Sequence, residues 1–187
     1  MRKILPIALI VCGVVLIDQI LKILIRQNMT VGQRIPTGDT FIRLLYLEND
    51  GIAFSMLEGN RWFLVVTQLV LITAIIVLMI FVIRKAESKL LLVAFPMMLG
   101  GGIGNLIDRI IFGSVTDFIS VGSFAVFNFA DMSLTIGCGI MLIYLFTSSH
   151  FRETEGKEQI ETEHVETEQI ETEQVVTTQA SEDSSES

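Results

Sequence analysis

Residues 62–83 read WFLVVTQLVLITAIIVLMIFVI, an unbroken run without a charged side chain. About 20 such residues carry an α-helix across the hydrocarbon of a bilayer. The three polar breaks, Thr67, Gln68 and Thr73, are uncharged. The run therefore reads as a membrane span, and three neighbours resemble it. Upstream, residues 4–25 are apolar apart from Pro6, Asp18, Gln19 and Lys22. Downstream, residues 90–111 hold Gly100, Gly101, Gly102 and Gly104, and residues 127–146 begin with Asn128 and Asp131. The expected fold is an α-helical integral membrane protein with four transmembrane helices at about 4–25, 62–83, 90–111 and 127–146.

Composition agrees, with 51% hydrophobic residues and a mean hydropathy of +0.61. The formal charge of −8 is unevenly placed. Residues 151–187 carry twelve acids against two bases, whereas residues 1–150 carry nine acids and eleven bases. This excludes a soluble acidic protein and a basic nucleic-acid binder, so no nucleic-acid partner is expected. The domain division is a four-span membrane body over 1–150 and an acidic tail over 151–187. Ile160, Val165, Ile170 and Val175 recur in the tail every five residues. That period makes no stripe on a helix and changes face on a strand, so the tail is expected to be disordered.

Arg2 and Lys3 precede the first span, and the apolar run is followed by no small-x-small cleavage site, so it reads as a retained span. Basic residues set the orientation. Arg2 and Lys3, then Arg84, Lys85 and Lys89, then Arg152 and Lys157 all fall on one side if the spans alternate. Both termini are therefore expected in the cytoplasm. Between the first two spans, residues 27–61 are patterned. Phe41–Leu47 is rich in strand formers, and Asn49-Asp50-Gly51 signals a turn before the short apolar run Ile52–Met56. A small extracytoplasmic β-element, built as a hairpin, is expected there.

Ionisable groups in or beside spans are costly and need reasons. Asp18 and Lys22, four apart on one helix, read as a structural ion pair with Lys22 snorkelling toward the membrane surface. The glycine run 100–104 lacks the spacing of a phosphate loop and reads as a close-approach surface for neighbouring helices. Asn105, Asp108 and Arg109 share one helical arc near the end of the third span. Asp117, in Val115-Thr116-Asp117-Phe118, and Asp131, at the start of the fourth span, lie 14 residues apart without a lysine or arginine between them. If they meet in a partly dry site they share a proton, which offers a base and an acid together. The alternative for Asp131 is a helix N-terminal charge, with Asp117 a loop acid. His150 and His164 lie at or beyond the last span and there is no Cys/His cluster, so no metal or other cofactor is expected.

Taken together, Asp18-Gln19-Ile20-Leu21-Lys22, Asn49-Asp50-Gly51-Ile52-Ala53-Phe54, Gly104-Asn105-Leu106-Ile107-Asp108-Arg109, Val115-Thr116-Asp117-Phe118 and Phe127-Asn128-Phe129-Ala130-Asp131 resemble the motifs of the bacterial lipoprotein signal peptidases, or signal peptidase II. The resemblance covers residues 3–148, with all five motifs in order. It implies a membrane aspartic endopeptidase that removes signal peptides from prolipoproteins on the amino side of a diacylglyceryl-modified cysteine. It also implies four transmembrane helices with a small extracytoplasmic β-cradle, in the bacterial cell membrane, with the active site at the outer face. Asp117 and Asp131 match the catalytic pair of the family. Asn49, Gly51, Asn105, Asp108, Arg109, Asn128 and Ala130 match substrate-binding or supporting positions. The partners implied are diacylglyceryl-modified prolipoproteins and membrane lipids, with no obligate protein partner. The rival reading of the acids alone is a small proton-coupled transporter, which would need them at mid-membrane depth.

Overall fold

A computed structural model describes residues 4–37, 41–51, 61–85, 88–122 and 125–148. The chain divides into two compact units, Met1–Leu142 and Ile143–Ser187. Of the second, only residues 143–148, the end of the last helix, are described. The acidic tail lies outside the described residues.

Among the described residues, four helices are long and apolar enough to cross a membrane: α1 (Ile4–Asn28), α2 (Arg61–Lys85), α3 (Leu91–Ile111) and α4 (Phe129–Ser148). The protein is a multi-pass membrane protein. Leu, Ile and Val side chains stand exposed along α1 and α2, for example Leu16, Val66 and Val70. In lipid such exposure costs nothing, because acyl chains are as apolar as leucine. Helix association must then come from close packing and polar contacts.

Helix α3 is the centre of the bundle. Two-thirds of its apolar window is buried, against 6–17% in the other three. Its glycines explain how it receives three neighbours at once. Successive helical residues point about 100° apart, so three in a row face three directions. A β-carbon on Gly100 would meet Val14 of α1 at 2.8 Å. One on Gly101 would strike the Ala130 carbonyl of α4, and one on Gly102 would meet Ile72 of α2 at 3.1 Å. Gly137 of α4 completes the α3–α4 contact, where a β-carbon would lie 2.8 Å from the Ala94 carbonyl.

One end of the bundle carries a four-stranded antiparallel sheet in the order β1-β2-β3-β4, formed by Arg34–Ile35, Ile42–Asn49, Val115–Val121 and Ala125–Phe127. The strand expected at 41–47 is present as β2. β2 pairs with β1 and with β3, which lies beyond the third helix. Residues 52–56, the anticipated hairpin partner, lie outside the described residues. The fourth strand takes over Phe127, so α4 starts two residues later than the apolar run suggested. Ile25, Met29, Tyr46 and Phe118 form a buried cluster that fastens the sheet to α1, with Phe129 of α4 packed against it.

Substitution Gly101→Val should lower the melting temperature of the detergent-solubilised protein, at a cost of about 1–3 kcal/mol from overpacking. Gly139→Ala, where a β-carbon meets nothing within 4 Å, should leave it unchanged or slightly higher. Thermal unfolding of the two variants side by side checks the packing.

Candidate active site

Asp131 and Asp117 are brought together by the way α4 begins. Asn128 precedes the first helical residue, and its side-chain oxygen accepts the Asp131 N–H at 2.9 Å. The Asp131 carboxylate accepts the Asn128 N–H in return at 3.2 Å. This reciprocal arrangement is a capping box, which satisfies two donors that a helix N-terminus otherwise leaves free. With the Asn128 oxygen committed to the cap, its NH₂ group must face outward. It donates to Asp117 at 2.7 Å and to the Asn105 oxygen at 3.1 Å.

The remaining carboxylate oxygens are held equally firmly. In the β2–β3 register Asn49 lies opposite Val115 and Leu47 opposite Asp117. Asn49 and Asp117 are therefore diagonal neighbours on one face. Asn49 Nδ2 donates to Asp117 at 2.8 Å, while its oxygen accepts the Gly51 N–H at 3.0 Å. Gly51 makes that turn with φ of +87°, in the region open chiefly to glycine. From α3, Asn105 Nδ2 donates to Asp131 at 2.7 Å. Each oxygen of the two aspartates thus receives an N–H, and Asn128 touches both residues.

Asp117 is 3% exposed. Burial is the largest cause pushing its carboxyl up, from 3.8 to about 6. The hydrogen bond from Asn49 opposes this, the nearby Asp131 charge adds to it, and the Asn128 bond and the Lys22 charge oppose it. Asp131 is half-buried and borders a groove of about 440 Å³ with Phe127, Met132, Thr135 and Ile136.

Behind the pair lies a buried polar layer. Asp18, Lys22 and Asp108 are fully buried, with Lys22 Nζ 2.9 Å from Asp18 and 3.3 Å from Asp108. The ion pair expected at i, i+4 is present, but Lys22 does not snorkel. It points inward because Asp108 and Asn105 offer it partners there, the latter at 2.9 Å. Asp18 also accepts the Ala130 N–H at 2.9 Å, and Asp108 the Thr116 N–H at 3.0 Å. Gly104 makes this possible, since a β-carbon there would sit 2.6 Å from the Asp18 carboxylate.

Arg109 faces α2, where Nη1 donates to Gln68 at 3.0 Å; its Nε is buried without a partner among the described residues. Gln68 also donates to the Gly102 carbonyl at 3.1 Å. Gln68 and Gln19, which donates to the Gly104 carbonyl and to both Asp18 and Asp108, were not among the expected site residues. Their signal was present: each is the uncharged amide among the few polar breaks of a lipid-length run.

The profile of the Peptidase_A8 family, signal peptidase (SPase) II, matches residues 10–147. The chain belongs to the signal peptidase II family. The lipoprotein signal peptidase of Listeria monocytogenes serovar 1/2a is 39% identical over 153 residues, covering 79% of this chain and 96% of that one. That of Halothermothrix orenii is 36% identical over 138 residues, covering 74% and 93%. That of Shouchella clausii is 41% identical over 134 residues, covering 70% and 85%. A bacterial membrane enzyme structure solved in meso at 2.3 Å matches with a TM-score of 0.69 and 31% identity, over 78% of this chain and 90% of the other. A second, at 1.9 Å, gives 0.68 and 32%, over 76% and 93%. As a signal peptidase II, the protein is a membrane protease that cleaves signal peptides in lipoprotein maturation. Nothing in its architecture or relatives favours a transporter.

The raised carboxyl has a measurable sign. Because the folded value lies above 3.8, the stability this group contributes is present in full below about pH 4 and is lost as pH rises through about 6, on the order of 3 kcal/mol. Infrared titration should show a carboxyl C=O band fading with a midpoint near 6 and missing from Asp117→Asn. Absence of any such band in the folded protein would contradict the dry environment of Asp117.

Proposed function

We propose that Asp117 and Asp131 are a proton-sharing pair that hydrolyses the peptide bond on the amino side of the diacylglyceryl-modified cysteine of a prolipoprotein. The observation that carries this reading is the capping amide of Asn128, bonded to both aspartates and holding them at one end of a membrane helix bundle. Asp117, the more deeply buried of the two, keeps the shared proton. Asp131, at the groove, is the base. A water between them loses a proton to Asp131 as its oxygen bonds to the substrate carbonyl carbon, and Asp117 gives its proton to the carbonyl oxygen. In collapse the C–N bond breaks. The nitrogen takes the proton that Asp131 had gained, and the diol returns one to Asp117.

Arg109 supports substrate binding in this reading. Gln68 fixes one end of its guanidinium, and the arginine charge beside the aspartates is suited to a substrate carbonyl through a charge-assisted hydrogen bond. Asn49, Gly51, Asn105, Asp108, Asn128 and Ala130 act as support through the bonds described above. The lipid chains of the substrate stay in the bilayer beside the groove, and membrane lipid is the protein's medium. The enzyme sits in the bacterial cell membrane with both termini in the cytoplasm, in line with the basic residues flanking the spans. The sheet and the aspartate pair then lie at the outer face.

With a diacylglyceryl-modified prolipoprotein as substrate, Asp117→Asn and Asp131→Asn should each abolish cleavage while the protein stays folded. The double variant should lose no more than either single one, because the two act as a unit. Near-normal turnover in either single variant would end the aspartic reading. Protease added to inside-out vesicles should remove the tail after Arg152 and leave cleavage intact. A protected tail would reverse the orientation, and lost cleavage would make the tail part of the enzyme.

A further inference from the structure

We infer that Lys22 is a positioning residue of the catalytic pair, a buried ammonium that sets the separation of Asp117 and Asp131 by tying together the groups that hold each of them. The inference rests on the proposed roles of the two aspartates. Its basis is a symmetry in the buried layer. Asp18 grips the backbone N–H of Ala130, one residue before Asp131. Asp108 grips the backbone N–H of Thr116, one residue before Asp117. Lys22 Nζ contacts both carboxylates, at 2.9 and 3.3 Å. Its third contact, 2.9 Å, is the Asn105 oxygen, which turns the Asn105 NH₂ toward Asp131. An ammonium has three donors, and here each has an acceptor that leads to the site.

Neutralisation alone does not call for this geometry. Arg26 already lies 3.4 Å from Asp108, so two acids and two bases balance without Lys22 contacting Asp108. A buried ion pair also adds little net stability against an apolar replacement. What Lys22 contributes is a fixed point between β3 and α4, elements that otherwise meet at the site through the Asn128 amide. The charged groups facing the aspartate pair are Lys22 from α1 and Arg109 from α3, the latter also beside Asp108. Those facing Lys22 are Asp18, Arg26 and Asp108; β2 and α2 present the neutral Asn49 and Gln68.

The test is steady-state cleavage of a diacylglyceryl-modified prolipoprotein by the full chain, with melting temperature and a pH profile for every variant. Lys22→Arg keeps the charge, but its planar fork cannot aim at three acceptors set around an ammonium. It should stay folded with KM within about twofold and lose about tenfold or more in kcat, since small misplacements of reacting groups cost that much. In Lys22→Met/Asp18→Asn the charge stays balanced and an oxygen is still offered to the Ala130 N–H. This variant should fold, fail to recover kcat and shift the alkaline limb of kcat/KM away from the wild-type position. Wild-type kcat and an unmoved profile in these variants, whatever their melting temperatures, would overturn the inference. So would activity that falls only with the folded fraction. Asp117→Asn runs alongside as a separate control: if it stays active, the aspartic reading fails, whatever Lys22 does.

Discussion

A charged group inside a bilayer has no water to turn to, so every one of its hydrogen-bonding positions must be met by the protein. Asp18, Lys22 and Asp108 are placed under that demand with no exposure at all. Beside the Lys22–Asp18 pair within α1, their contacts reach neighbouring elements: a backbone N–H of α4, a backbone N–H of β3, an amide of α3. The result is that a bundle and a sheet, joined otherwise by a modest apolar cluster and the Asn128 amide, share one electrostatic anchor. Breaking it by removing one partner would leave an uncompensated buried charge, at about 3–5 kcal/mol. The proposed active site is built directly on that anchor.

Much of this was readable from residues. The four spans follow from run length and polarity, and the five motifs led to the family whose profile the chain matches. The sheet was only half legible. Phe41–Leu47 announced itself by composition, but Val115–Val121 carries Thr116, Asp117 and Ser120 and is buried along nearly its whole length. A strand covered on both faces shows no alternation, and its partner lies beyond two intervening helices. Local pattern cannot find such a pairing. The Lys22 side chain was misjudged for a related reason. Snorkelling is the cheap solution for an isolated lysine near a helix end, and only the fold shows that Asp108 and Asn105 wait on the other side.

The glycine run 100–104 was read as a close-approach surface, and the fold makes it one. Within that run Gly100 and Gly104 hold the i, i+4 spacing by which small-residue packing faces are usually recognised. That spacing describes two helices meeting along a seam. A central helix with three neighbours needs small residues in every direction at the same depth, and consecutive positions deliver them.

Asn128 carries a consequence for how this position can vary. As a helix cap, serine or aspartate serves about as well as asparagine. Here the cap uses only half of the side chain, and the other half supplies an N–H that aspartate lacks altogether and that serine cannot extend to the same reach. Two demands, one from folding and one from chemistry, intersect on a single amide. The folding alphabet at 128 holds several letters; the alphabet that also serves the aspartates holds one. A variant library screened for stability would pass substitutions there that a screen for turnover rejects, and the gap between the two screens would mark the residue more sharply than either alone.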